Sequence, residues 1–182
     1  MREGLRALLA GYNLPPLERD VHASMAALVD HPSDPTSRTT FDPGHFTASA
    51  FVLSPDRDAV LLVHHRKLNR WLQPGGHIDP GDENALAAAR REVREETGLW
   101  ADVLFEDVFD IDIHAYPAGR EPGHLHFDLR FLLGADTSDV PGSSEIDGWR
   151  WVRFDEIAAV DADPSLTRPV AKVGRWVGSG AE

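Results

Sequence analysis

From Asn84 to Gly98 the chain reads NALAAARREVREETG, and this stretch restricts the fold more than any other. Ala, Leu, Arg and Glu are strong helix formers, Asp82 or Asn84 can cap the start, and Gly98 follows the end. The spacing predicts a helix over residues 84–97. Leu86, Ala89 and Val93 give it an apolar side to bury. Glu92, Glu95 and Glu96 stand at i, i+3 and i+4, so all three project toward one other side.

Such a helix needs a layer to pack on, and the flanking sequence offers strands. Phe46–Leu53 ends at the turn Ser54-Pro-Asp-Arg57, and Ala59–Val63 resumes as its partner. Three more strand-like stretches follow: Asp102–Ile113, Leu125–Leu133 and Trp149–Phe154. Trp149 and Trp151 share a face by alternation, which places at least one of them in the core. Asp155-Glu156-Ile157 begins a short helix, and Arg168-Pro169-Val170 opens a last one whose Val173, Trp176 and Val177 can dock. Ahead of the strands, residues 5–30 carry two helical patterns broken at Asn13-Leu14-Pro15-Pro16, because proline cannot occupy a helix interior. The 182 residues suffice for one well-buried domain in which strands and helices intermix.

The acidic triplet carries the chemistry. Three carboxylates near a helix C-terminus repel one another and oppose the helix dipole. A hard cation removes that conflict, and carboxylate oxygen is the ligand that Mg2+ or Mn2+ prefers. Taken alone, the triplet also reads as a solvated face offset by Arg91 and Arg94. The preceding loop favours the cation. Pro74-Gly75-Gly76 lets backbone approach a ligand, Pro80-Gly81 adds a turn, and Asp79, Asp82 and Glu83 add carboxylates just before the helix.

Gly76…Glu83…Arg91-Glu-Val-Arg-Glu-Glu-Thr-Gly-Leu99 resembles the Nudix box, G-x5-E-x7-R-E-U-x-E-E-x-G-U with U aliphatic. The second half matches at every specified position. Six residues separate Gly76 from Glu83 where the pattern has five, so either Glu83 or Asp82 takes the first acidic position. Trp71-Leu-Gln-Pro-Gly-Gly76 resembles the usual lead-in, and Trp149–Ile157 the late strand-to-helix segment. The resemblance implies a Nudix-type α/β/α sandwich with a mixed β-sheet over residues 41–182, preceded by an N-terminal helical extension over residues 1–40. It also implies a divalent-metal-dependent hydrolase acting on a nucleoside diphosphate derivative such as a nucleotide sugar or an ADP-ribose-like compound. A nucleoside triphosphate pyrophosphohydrolase and a catalytically silent ligand sensor are the alternatives. Glu92 and Glu96 are then the leading metal ligands, with Glu95 third and the Gly76 carbonyl as a further oxygen. Arg91 holds the glutamates by charge-assisted hydrogen bonds. One of these glutamates, or Glu145 in the turn-like segment Pro141–Ile146, takes the proton from water. Family members are often dimers, and the extra N-terminal helices could cover such an interface or cap the pocket.

His124-Leu-His126-Phe-Asp128 alternates, so three polar side chains share one strand face while Leu125, Phe127 and Leu129 take the other. His124, His126 and Asp128, with His114 nearby, could bind a transition metal, contact ligand, or act as structural donors. Trp71, Gly75 and His77 complete the expected substrate-binding set, with His64 and His65 at its rim. The net charge of −12, from 30 acidic against 18 basic residues, argues against long nucleic acids and leaves small phosphorylated molecules open. With no cysteine, disulfides, thiolate catalysis and thiolate-bound metal are excluded. The apolar run after Met1-Arg2-Glu3 is too short for a signal peptide or a membrane span, so a cytoplasmic protein is expected.

Overall fold

The structure is a computed structural model that describes residues 1–66 and 69–180. Its elements run α1 (Arg2–Gly11), α2 (Arg19–Val29), β1 (Gly44–Leu53), β2 (Ala59–His65), β3 (Arg70–Leu72), β4 (Gly75–His77), α3 (Ala85–Thr97), β5 (Ala101–Tyr116), β6 (His124–Ala135), β7 (Ile146–Arg153) and α4 (Thr167–Gly178). The strands form one mixed sheet in the order β3-β2-β1-β6-β5, with β4 on β1 and β7 on β2. With helices flanking that sheet, the architecture is the expected α/β/α arrangement.

The chain divides into two compact units, residues 1–49, 76–89 and 106–131 in the first and 50–75, 90–105 and 132–180 among the described residues of the second. In the first, α1 packs on α2, and Leu5, Leu9, Met25 and Leu28 are buried. The Arg2 guanidinium ties the two helices by donating to the carbonyls of Val29, His31 and Ser33. Pro15 and Pro16 break the helical pattern there, and a 3-10 turn at Pro16–Glu18 restarts it. Gly44 lets β1 begin tight against β6: with φ +145°, a Cβ on it would sit 1.9 Å from the Leu125 carbonyl oxygen.

In the second unit, β2 pairs antiparallel with β3 and with β7, Leu61 opposite Trp151 and Val63 opposite Leu72. The β1–β2 turn closes through the Arg57 amide on the Ser54 carbonyl and the Ser54 amide on Ala59. Neither tryptophan of β7 is core. Trp149 is 38% exposed, and Trp151 is half-buried with its indole N–H on the Ser138 carbonyl. The buried residues of β7 are Ile146 and Val152, and Val152 has the opposite parity to the tryptophans, which the alternation rule sends to the outer face. Asp155–Ile157 leads into a 3-10 turn at Ile157–Ala159. On α4, Val170 and Val173 are fully buried, whereas Trp176 and Val177 are half-buried. No helix among the described residues is long and apolar enough to cross a membrane.

Candidate functional site

The acidic helix is fixed at both ends by its own sequence. Asn84 caps the start, its Oδ1 accepting from the Ala87 amide at 2.9 Å. At the other end Gly98 takes φ +76° and its amide donates to the Arg94 carbonyl. The Gly142 amide donates to the Thr97 carbonyl, which anchors the loop carrying Glu145 to the end of α3. Ala89 and Val93 are buried as the periodicity requires; Leu86 is half-buried.

The three glutamates differ in burial. Glu96 is buried, Glu92 half-buried and Glu95 exposed. Successive residues are about 100° apart around a helix, so one step turns Glu96 inward from Glu95. The Glu96 carboxylate accepts the Gly75 amide at 3.1 Å, joining the glycine strand β4 to the helix. Burial pushes the Glu96 pKa up to about 8; the Gly75 donor opposes this, and the charges of Glu92, Glu145 and Glu95 reinforce it. Arg91 donates to Glu92 at 2.9 Å and to Glu95 at 2.8 Å. A buried carboxyl group crowded by three others, with one amide to hold it, is a donor set that a divalent cation would complete. The residues present therefore fit Mg2+ or Mn2+.

The remaining predicted residues fall as follows. Gly76 and His77 follow Gly75 on β4, all half-buried. In the loop beyond, the Asp82 carboxylate accepts the Asp79 amide while Glu83 is exposed, so the longer loop closes on its own turn. Trp71 lies on β3 with the Arg150 guanidinium 4.0 Å from its ring centroid and His64 edge-on at 5.0 Å. Glu145 is exposed, yet close enough to act on Glu96.

A second constellation lies on one face of β1, β6 and β5. Asp128 accepts from Thr47 at 3.0 Å, Ser49 at 2.7 Å and Arg130 at 3.0 Å. Arg130, 1% exposed, also bonds Asp110 and Asp112. Burial pushes Asp128 upward, but the Arg130 charge, His114 and the Ser49 and Arg130 hydrogen bonds outweigh it and hold the carboxylate below its ordinary pKa. On His114 burial acts downward, and the Asp112 hydrogen bond with the nearby carboxylates reverses it, leaving the pKa raised. Asp128 is thus engaged with protein donors inside the layer.

The same face continues into histidines. His124 and His126 are buried with their Nε2 atoms 3.1 Å apart. His45, which sequence reasoning missed, is fully buried beside them, its ring centroid 4.9 Å from that of His124, 5.0 Å from His126 and 5.1 Å from His77. The available signal was the alternation His45-Phe46-Thr47-Ala48-Ser49 along β1. Desolvation holds His77 down to about 4, assisted by Arg38 and His45, and His126 down to about 2, assisted by the histidines around it, so these two imidazoles are neutral at ordinary pH.

Residues 43–174 match the NUDIX domain family model. The chain belongs to the Nudix family. It is 35% identical over 98 residues to the rat bis(5'-nucleosyl)-tetraphosphatase (asymmetrical), covering 53% of this chain and 65% of that protein. It is 32% identical over 108 residues to a putative 8-oxo-dGTP diphosphatase of Bacillus subtilis, covering 59% and 66%. The chain thus spans less than two thirds of the length of either relative. Among solved structures, a C. elegans Ap4A hydrolase binary complex superposes with TM-score 0.59 at 20% identity, covering 74% of this chain and 98% of that one. That likeness is one of fold.

Proposed function

We propose that this Nudix chain is a divalent-metal-dependent hydrolase that cleaves a diphosphate linkage in a nucleoside diphosphate derivative such as a nucleotide sugar or an ADP-ribose-like compound. The observation that carries the reading is Glu96, a buried carboxyl group that feels the charges of Glu92, Glu145 and Glu95 and is fixed by the Gly75 amide. Glu92 and Glu96 would hold Mg2+ or Mn2+, with Glu95 and the Gly76 carbonyl as further oxygens. The ion would neutralise phosphate charge and acidify bound water. Arg91 keeps Glu92 and Glu95 together, and the Gly75 amide orients Glu96. One of these glutamates, or Glu145, accepts the proton as a water oxygen adds to phosphorus and the bridging P–O bond breaks, leaving two phosphorylated products. In this reading Trp71, Gly75, His77, His124 and His126 contact the substrate.

A second reading draws on the relatives' names. The rat and B. subtilis proteins are named for a dinucleoside tetraphosphate and a nucleoside triphosphate, which favours a longer phosphate chain as substrate. Product release over sugar nucleotides, dinucleoside polyphosphates and nucleoside triphosphates, with Mg2+ or Mn2+, separates the two. Turnover should require the metal. Glu96→Gln should lower it by more than the roughly 10–100-fold that loss of an outer metal-site partner costs. Ligand binding without product would replace the hydrolase with a silent sensor.

A further inference from the structure

His45, His77 and His126 come from β1, β4 and β6, yet each offers a ring nitrogen within 4.8 Å of the other two. We propose that these three imidazoles form a second metal site that takes a zinc-like transition ion and shares no ligand with the carboxylates of α3.

The tautomer of His45 is set for this. The His45 Nδ1 lies 3.0 Å from the Thr40 carbonyl, which only accepts, so Nδ1 carries the proton and Nε2 carries the lone pair. That Nε2 is buried and has no hydrogen-bond partner among the described residues. A buried polar atom left so is destabilising unless something occupies it. The Pro122 carbonyl imposes the same logic on His124, 2.8 Å from its Nδ1. His124 Nε2 therefore accepts the proton of His126 Nε2 and leaves the His126 lone pair on Nδ1. Metal-binding histidines are commonly oriented in this way, by an N–H donated to a carbonyl or a second side chain.

The donor set selects the ion. Three nitrogens without a carboxylate suit zinc and its neighbours, whereas Mg2+ prefers oxygen. Two nitrogens at tetrahedral zinc stand roughly 3.3 Å apart, so loading draws the rings inward by about an ångström, a matter of side-chain rotation. With three protein ligands, a fourth position stays open for water or an anionic oxygen. This inference does not depend on the proposed hydrolysis.

Titrating the tag-free chain, stripped of metal, with Co2+ tests it by visible absorption, and Zn2+ calorimetry gives the affinity. One Co2+ per chain should produce bands of tetrahedral intensity that Zn2+ abolishes and excess Mg2+ does not. His77→Ala should weaken Zn2+ by more than about 100-fold, above the cost of losing an outer partner. Glu96→Gln should leave it unchanged. Since His126 is buried and its replacement can disturb folding, circular dichroism accompanies His126→Gln, and the half-buried His77 carries the comparison if that variant unfolds. Absence of the bands from the wild type overturns the proposal. So does their persistence in His77→Ala, or their loss in Glu96→Gln.

Discussion

Glu96 on α3 and Asp128 on β6 are both buried carboxyl groups, and their surroundings could hardly differ more. Glu96 has one amide donor and three acidic neighbours, and its pKa rises to about 8. Asp128 has two hydroxyl donors and the Arg130 guanidinium, and its pKa falls. Burial penalises the charge in both; what differs is the supply of partners. The strand face is complete from within, so its carboxylate serves the fold. Glu96 is held by an amide and faces the charges of other carboxylates, which is the state of a site that receives its cation from solution.

The largest test of that contrast is Arg130→Met. It leaves Asp110, Asp112 and Asp128 in the interior without their guanidinium, and a broken buried pair costs about 3–5 kcal/mol. Urea unfolding should show a loss of that size. Glu96→Gln in metal-free protein should show none at pH 8, because it replaces a group that crowding already disfavours. If Arg130→Met costs under about 1 kcal/mol, the strand face does not neutralise itself and the contrast fails.

The unequal legibility of the two regions has a physical cause. The acidic helix lies within one run of chain: Asn84, Glu92, Glu95, Glu96 and Gly98 are related by a helical period that a sequence displays directly. Burial of Glu96 against exposure of Glu95 was not visible, because it depends on what packs against that side. The strand face is assembled across β1, β6 and β5. Alternation on β6 alone marked His124, His126 and Asp128. His45, Asp110, Asp112 and Arg130 also alternate with apolar neighbours on their own strands. Their meeting depends on the strand order β1-β6-β5 and on Gly44 admitting the Leu125 backbone, neither of which is a local property. The fold class was readable, since the strand and helix pattern suffices for it; the outward turn of Trp149 and Trp151 depended on β7 register.

A smaller effect sharpens the comparison by its sign. The folded pKa of Glu96, about 8, lies above its ordinary value of 4.5, so the folded state binds the proton more tightly. Its contribution is present in full below pH 4.5 and is lost as pH rises toward 8. Asp128, lowered from 3.8, acts the other way: its contribution is present above that pH and is lost on acidification through the lower folded value. Metal-free melting temperature should therefore decline between pH 5 and about 8, and Glu96→Gln should flatten that limb without moving the acid limb. A decline unchanged in Glu96→Gln would assign it to another group and remove the electrostatic argument for the acidic helix.

The smallest expected effect probes how far the acidic end of α3 depends on the start of its helix. Asn84→Ala removes the side-chain acceptor of the Ala87 amide, and losing such a cap costs about 1 kcal/mol. Glu92, Glu95 and Glu96 lie two turns or more further on, held by Arg91, the Gly75 amide and the Gly98 terminus. Chemical unfolding should register the cap while Mn2+ affinity per folded molecule stays the same, because those restraints are local to the glutamates. A matching loss of Mn2+ affinity would mean that the array is positioned by the whole helix, as the strand face is positioned by the whole sheet, and the two regions would then differ in charge alone.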